Sequence, residues 1–162
     1  MAENKKILMI DDDAEDRMLM QEMFTEIGTP DVAHYEESGD TALSYLDNLS
    51  ENDLPSVIVL DLNMPKLNGT QVLKMLKSNK RLKDITVIIY STSINHIERE
   101  QALRLGAHSY VIKPSSYEEC LEKAKYFNSL CMPPSSKGEL HASNMKEVPP
   151  SPKGGQCVSC GQ

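Results

Sequence analysis

The sequence has no long hydrophobic run, and its purely aliphatic or methionine stretches reach only four or five residues. A membrane-spanning helix needs about 20 apolar residues. The amino terminus also lacks the apolar core that follows the charged start of a secretion signal. These absences predict a cytoplasmic protein that does not associate with a membrane.

Cysteine and positive charge are also scarce. The four cysteines, Cys120, Cys131, Cys157 and Cys160, have no framework spacing, so we expect free thiols in a reducing compartment. A structural zinc site needs two ligands besides Cys157 and Cys160. His141 is near in sequence, but a fourth ligand is missing, so we interpret the cysteine pair as an unstructured remnant. The net charge of −7 argues against nonspecific binding to nucleic acid.

Apolar patterns of two kinds alternate five times along residues 5–131. Strands are predicted at Lys5–Ile10, Asp31–Tyr35, 56–60, Thr86–Tyr90 and His108–Ile112. Helical faces are predicted from Leu19, Met20, Met23, Phe24 and Ile27; from Ala42, Leu43, Leu46 and Leu49; from Val72, Leu73 and Leu76; from Ile94, Ile97, Ala102 and Leu105; and from Tyr117, Leu121, Ala124 and Phe127. Gly28 and Gly106 are predicted helix stops. This alternation predicts an α/β fold with a five-stranded parallel sheet and helices on both faces.

Proline dominates the remainder of the chain, where five of the nine prolines follow residue 132. Few large apolar residues accompany them, so this segment cannot bury enough surface to offset its ordering entropy. We therefore predict a folded domain over residues 1–131 and a disordered proline-rich tail over residues 132–162.

Polar residues follow four of the predicted strands. Asp11 and Asp12 end the first strand, Asp61 the third, Ser91 the fourth and Lys113 the fifth. The carboxyl ends of parallel strands share one edge of the sheet, which is where open α/β sheets place their chemistry. Clustered carboxylates repel strongly without a cation, and hard oxygen ligands suit Mg²⁺ or Mn²⁺. An aspartate can also act as a nucleophile toward phosphorus, with Ser91 and Lys113 binding the phosphoryl oxygens.

These motifs together resemble the receiver domain of two-component response regulators. The resemblance covers about residues 5–131 and rests on Ile10-Asp11-Asp12, Asp61-Leu62-Asn63-Met64-Pro65 with Gly69, Tyr90-Ser91 and Ile112-Lys113-Pro114. It implies the flavodoxin-like (βα)5 receiver fold. Since no output domain follows residue 131, we expect a stand-alone receiver that relays its phosphoryl group or signals through protein contact.

The resemblance also implies roles for individual residues. Asp61 would accept a phosphoryl group from a phosphohistidine of a sensor histidine kinase or a histidine phosphotransfer protein. Asp12, Asp61 and the carbonyl of Asn63 would bind Mg²⁺ directly, and Asp11 would act through a bound water. Ser91 and Lys113 would contact the phosphate, and Ser91 and Tyr110 would act as the switch. The family also implies a cis Lys113–Pro114 bond and a role for Asn63 and Ser93 in phosphate lifetime.

Simpler interpretations remain for several of these residues. Asp13 is expected to cap the first helix, and Ser91, Thr92 or Ser93 could cap the fourth. Tyr110 is as consistent with packing as with switching. The alternative function is a receiver-like interaction module that works without phosphorylation. We expect a phosphoacceptor signalling domain, which is not an enzyme and catalyses only its own phosphorylation and dephosphorylation.

Two other protein classes fit the motifs less well. Haloacid-dehalogenase-type phosphatases place a D-x-D nucleophile first and an acidic pair last, whereas here the pair comes first and the nucleophile motif is Asp61-Leu62-Asn63. A flavin-binding flavodoxin needs a phosphate loop rich in Ser, Thr or Gly after the first strand, and Asp11-Asp12-Asp13 would repel phosphate there.

Overall fold

The structure is a computed structural model, and it describes residues 5–131. Its strands are β1 (Ile7–Ile10), β2 (Ala33–Glu36), β3 (Val57–Leu60), β4 (Thr86–Ser91) and β5 (Ser109–Ile112). Its helices are α1 (Ala14–Glu26), α2 (Gly39–Asp47), α3 (Gly69–Ser78), α4 (His96–Arg104) and α5 (Tyr117–Ser129), with one 3₁₀ turn at Glu51–Asp53. The predicted tail and the Cys157–Cys160 pair lie outside the described residues.

All five strands form one parallel sheet in the order β2-β1-β3-β4-β5. The two central apolar runs, β1 and β3, are buried along their full length. The predicted α/β fold class is therefore confirmed, and the strand order is that of the flavodoxin-like fold. Strand ends differ from the predictions by one or two residues: β1 begins at Ile7, β2 spans Ala33–Glu36, and β4 continues through Ser91.

The sheet separates two hydrophobic cores. One core, which we call the α2–α4 face, joins alternate strand residues such as Leu8 and Leu60 to α2, α3 and α4. The other, the α1/α5 face, joins the intervening residues such as Met9 and Val59 to α1 and α5. Successive strand residues point to opposite faces, so both cores follow from the continuous apolar runs in β1, β3 and β4.

The helix ends carry recognisable signals. The side chain of Asp13 accepts a hydrogen bond from the Glu15 amide at 2.9 Å, so its predicted capping role is confirmed. Gly28 and Gly106 follow α1 and α4 with φ of 82° and 106°, as expected for helix stops. Asn95 caps α4 in place of the three candidate residues Ser91, Thr92 and Ser93.

Two further predictions are wrong. Ile94 and Ile97 are 78% and 77% exposed, so they are not part of the buried face of α4, which is held by Ala102 and Leu105. No peptide bond among residues 5–131 is cis, so the predicted cis Lys113–Pro114 bond is trans. Trans is the form that X–Pro bonds prefer by about 0.5–1 kcal/mol.

No helix within residues 5–131 is long and apolar enough to cross a bilayer.

Candidate functional site

The sheet ladder fixes the backbone of the candidate site residues. Beyond the assigned strands, the Asp11 amide donates to the Glu36 carbonyl at 3.1 Å and the Asp61 amide to the Ile10 carbonyl at 3.0 Å. The Lys113 amide donates to the Ser91 carbonyl at 2.9 Å. Asp11, Asp61, Ser91 and Lys113 therefore meet at one edge, as the parallel strands predict.

Strand alternation divides these side chains between the two faces. Asp11 and Asp61 lie two residues after Met9 and Val59, which belong to the α1/α5 face, and Lys113 lies two residues after Val111 of the same face. Ser91 instead lies two residues after Ile89 of the α2–α4 face. The alternating period of a strand thus groups the acids with the lysine and sets the hydroxyl on the other side.

Three carboxylates form a compact group at this edge. One ligand oxygen from each of Asp11, Asp12 and Asp61 lies within 4.8 Å of the others. Asp11 and Asp61 are buried, whereas Asp12 is exposed, so the group opens to solvent on one side. Hard carboxylate oxygens with room for water fit Mg²⁺, which binds few protein ligands and keeps several waters.

Lys113 supplies the opposite charge. Its ammonium lies 2.7 Å from Asp11 Oδ2, 2.7 Å from Asp16 Oδ2 and 3.7 Å from Asp61 Oδ2. Burial alone would lower the pKa of Lys113, but the hydrogen bonds to Asp11 and Asp16 raise it above its usual value. Lys113 is therefore a fixed positive charge beside the carboxylates.

Burial dominates the electrostatics of the two buried acids. It raises the pKa of Asp61 to about 6, against the opposing attraction of Lys113. Burial likewise raises the pKa of Asp11, while the hydrogen bond from Lys113 acts in the opposite direction. A cation bound between the two carboxylates would stabilise them, because a nearby positive charge favours the ionised form of an acid.

The hydroxyl of Ser91 is fully buried and joins the loops that follow β3 and β4. It accepts hydrogen bonds from the Ser93 amide at 3.2 Å and from the Asn63 side chain at 3.4 Å. The backbone amide of Asn63 in turn donates to Asp61 Oδ1 at 3.3 Å. Asn63 thus contacts both the acid and the hydroxyl, while the metal-binding role of its carbonyl stays a prediction.

Tyr110 is connected to this group through one residue. Its hydroxyl donates to the Ser93 carbonyl at 2.9 Å, and its ring is half-buried against the α2–α4 face. The Ser93 hydroxyl donates to the Glu98 carboxylate of α4 at 2.6 Å. Ser93 therefore connects the Ser91 hydroxyl, Tyr110 and the first turn of α4.

The backbone of Gly69 lies close to the backbone of Asp61 and Leu62. Gly69 begins α3, and a Cβ atom at this position would lie 2.2 Å from the Asp61 carbonyl oxygen and 2.6 Å from Leu62 Cα. The Gly69 amide donates to the Leu62 carbonyl at 3.0 Å. Glycine is required here by space, and it holds the loop after β3 against α3.

Sequence reasoning missed one contact of the site. Asp16, in the first turn of α1, pairs with Lys113, although nothing in the sequence pattern had singled it out. Its position four residues after Asp12 is the same whether its side chain faces solvent or the site, so the sequence carries no signal for this contact. The Arg17 guanidinium donates a hydrogen bond to the Asp11 carbonyl at 2.6 Å and so holds the loop after β1.

Comparison with known proteins agrees with this geometry. Residues 7–125 match the family model of the response regulator receiver domain. The probable methanogenesis regulatory protein FilR2 of Methanothrix harundinacea is 34% identical over 116 residues, which cover 70% of this chain and 74% of that protein. A chemotaxis protein CheY homolog of Campylobacter jejuni is 29% identical over 118 residues, covering 73% and 88% of the two chains.

Solved structures give the same result. The phosphorylated cyanobacterial phytochrome response regulator RcpA is 31% identical, with a TM-score of 0.69, over 78% of this chain and 93% of that chain. The Mn²⁺-bound response regulator Rcp1 is 28% identical, with a TM-score of 0.67, over 77% and 92%. With its five parallel strands and acidic edge, this chain belongs to the family of response regulator receiver domains.

Proposed function

We propose that this protein is a phospho-accepting signalling switch of a two-component system. The observation that carries the proposal is the buried Asp61 carboxylate, which has Lys113 at 3.7 Å and two further carboxylates within 4.8 Å. A metal-binding acid group with an adjacent fixed cation and a buried hydroxyl suits phosphoryl transfer, where catalysis is mostly positioning and charge neutralisation.

In the proposed reaction an Asp61 carboxylate oxygen attacks the phosphorus atom of a phosphohistidine. The P–O bond forms as the P–N bond breaks, and the imidazole nitrogen of the donor takes up a proton. Asp11, Asp12, Asp61 and the Asn63 carbonyl would hold Mg²⁺, which neutralises charge on the phosphoryl oxygens. Lys113 and the Ser91 hydroxyl would bind the remaining oxygens. The protein would catalyse only this step and the later hydrolysis of the aspartyl phosphate, in which water attacks phosphorus, the bond to the Asp61 oxygen breaks, and inorganic phosphate leaves.

The proposed partner on the input side is a sensor histidine kinase or a histidine phosphotransfer protein.

On the output side, movement of Ser91 toward the phosphate would release its hydrogen bond from the Ser93 amide. Through Ser93, this movement would disturb the hydrogen bonds of Tyr110 and Glu98. A cleft of about 580 Å³ lies beside these groups and is lined by residues of α4, β5 and α5. We propose that this surface changes its protein partner. The cytoplasmic location and the independence from nucleic acid stay predictions.

Intact-mass measurement tests the proposal. The full chain is incubated with Mg²⁺ and acetyl phosphate, and we expect one phosphate that is stable in acid and labile in base. Asp61→Asn should take up none. Asp13→Asn is the matched control, because it removes the same charge nearby while asparagine keeps the helix cap. Wild-type protein that stays unmodified would favour the interaction module that works without phosphorylation, and a phosphorylated Asp61→Asn variant would refute the assignment of the acceptor.

A further inference from the structure

Asp16 occupies a place in the site that neither metal binding nor phosphoryl transfer requires. It is the third residue of α1, and its carboxylate lies 2.7 Å from the Lys113 ammonium. The Lys113 side chain is 10% exposed and the Asp16 side chain 32% exposed, so the pair is largely shielded from solvent. Asp16 thus reaches from a helix into the edge that the strand ends form.

The ordinary role of an acid in a first helical turn explains only part of this. Acids there favour the helix dipole while facing solvent, and Glu15 in the same turn is exposed in that way. Asp16 differs because it forms a direct, partly buried ion pair with a side chain 97 residues away. The contact therefore links α1 to the end of β5.

The distances at Lys113 show an unequal distribution of its contacts. The ammonium has three N–H donors, and two of its short contacts, each 2.7 Å, go to Asp11 and Asp16. Asp61 Oδ2, at 3.7 Å, lies beyond hydrogen-bond length. With a phosphoryl group, Asp61 would carry about 1.5 to 2 negative charges in place of the single charge of its carboxylate. Lys113 would have to turn toward them.

We propose that Asp16 is a positioning residue that competes with the modified Asp61 for the Lys113 ammonium. In the unmodified protein Asp16 holds the ammonium short of Asp61, and phosphorylation draws it away. Asp16 thereby lowers the affinity of the site for a phosphoryl group and makes the first turn of α1 sensitive to the state of Asp61. This inference rests on the proposed function.

Binding of beryllofluoride, a stable mimic of a phosphoryl group, tests the inference at equilibrium. Affinity is measured by calorimetry on the full chain at saturating Mg²⁺. We expect Asp16→Asn to bind about 3- to 5-fold tighter than wild type, the upper part of the range expected when one partly exposed ion pair no longer competes. Asp16→Glu keeps the carboxylate and should stay close to wild type.

Two controls separate competition for Lys113 from a general charge effect. Asp13→Asn removes the same charge from the same end of α1 without touching Lys113, and it should change the affinity less than 2-fold. Lys113→Met alone should bind more weakly than wild type, and adding Asp16→Asn to it should give no gain in affinity. A non-additive pair of this kind is the signature of two residues that act through one contact.

The possible outcomes separate failure of this inference from failure of the proposed function on which it rests. If wild type binds beryllofluoride and Asp16→Asn gains no more than Asp13→Asn, the inference fails and the proposed function stands. A gain that persists without Lys113 also overturns it. Wild-type protein that binds no beryllofluoride overturns both.

Discussion

The Asp61 carboxyl group combines near-complete burial with a pKa raised to about 6. Ionisation of this group at neutral pH therefore opposes folding, since its ordinary pKa is 3.8. The native state holds the proton more tightly than the unfolded chain, so the cost is absent below pH 3.8 and grows as the pH rises through about 6. The phospho-accepting role proposed for Asp61 would therefore be obtained at the expense of stability.

Asp61→Asn should therefore stabilise the protein in the absence of divalent metal. We expect a gain of about 1–3 kcal/mol at pH 7.5, since each pKa unit corresponds to about 1.4 kcal/mol. The difference between variant and wild type should shrink as the pH falls through about 6. Urea unfolding in EDTA at several pH values measures it, and a variant equally stable or weaker at pH 7.5 would contradict the raised pKa. Mg²⁺ should stabilise wild type more than the variant.

The same scale shows what a sequence can and cannot reveal about a site. Asp11, Asp61 and Lys113 could be predicted because parallel strands bring their carboxyl ends to one edge. Asp16 could not, because an acid in a first helical turn has the same pattern whether it faces solvent or a neighbouring strand. The difference depends on the rotation of α1 about its axis, which packing on the sheet determines.

At the scale of elements, the junction between β3 and α3 depends on Gly69. We expect Gly69→Ala to lower the free energy of unfolding by about 3 kcal/mol, because the added methyl group meets backbone atoms that cannot turn aside. Gly28→Ala is the matched control. Gly28 has a φ of 82°, and a methyl group added there would meet nothing within 4 Å, so only the left-handed backbone costs energy, about 1–2 kcal/mol. Equal losses in urea unfolding would contradict the close approach.

The fourth helix shows where periodicity misleads. Apolar residues at helical spacing predict a buried face, yet the structure buries Ala102 and leaves Ile94 and Ile97 in solvent. The helix begins two residues after Ile94, and Asn95 rather than a serine caps it. Several good capping residues in succession leave the start of a helix open in sequence. In the structure β4 extends through Ser91, and the side chain of Asn95 caps the helix by accepting from the Ile97 amide.

The exposure of α4 leads to a paired prediction. Ile97→Ala should change the free energy of unfolding by less than about 0.5 kcal/mol, because the side chain already lies in water. Ile88→Ala, in the fully buried centre of β4, should cost about 2–5 kcal/mol. Urea unfolding of both variants measures this, and a comparable loss for Ile97 would show that α4 packs more tightly than the structure indicates.

At the scale of the whole molecule, the two hydrophobic cores join residues between Ile7 and Cys131 in the part of the chain that the structure describes. If the folded domain ends at residue 131 as predicted, removal of residues 132–162 should leave one cooperative unfolding transition, with a free energy within about 1 kcal/mol of the full chain. Calorimetry and urea unfolding of the two proteins give the comparison. A non-cooperative transition, or a large loss of stability, would refute the predicted boundary after residue 131.

The division of the sheet into two cores also sets how each part of the backbone exchanges its amide protons with water. Strands β1 and β3 are covered on both faces, so their amides are released mainly when the whole molecule unfolds. Helix α4 is anchored by one buried residue, Ala102, and by the half-buried Leu105, so it can open locally at far lower free energy. Its amides should therefore exchange before those of β1 and β3, and the proposed movement of α4 would need less free energy than the movement of any strand in the centre of the sheet.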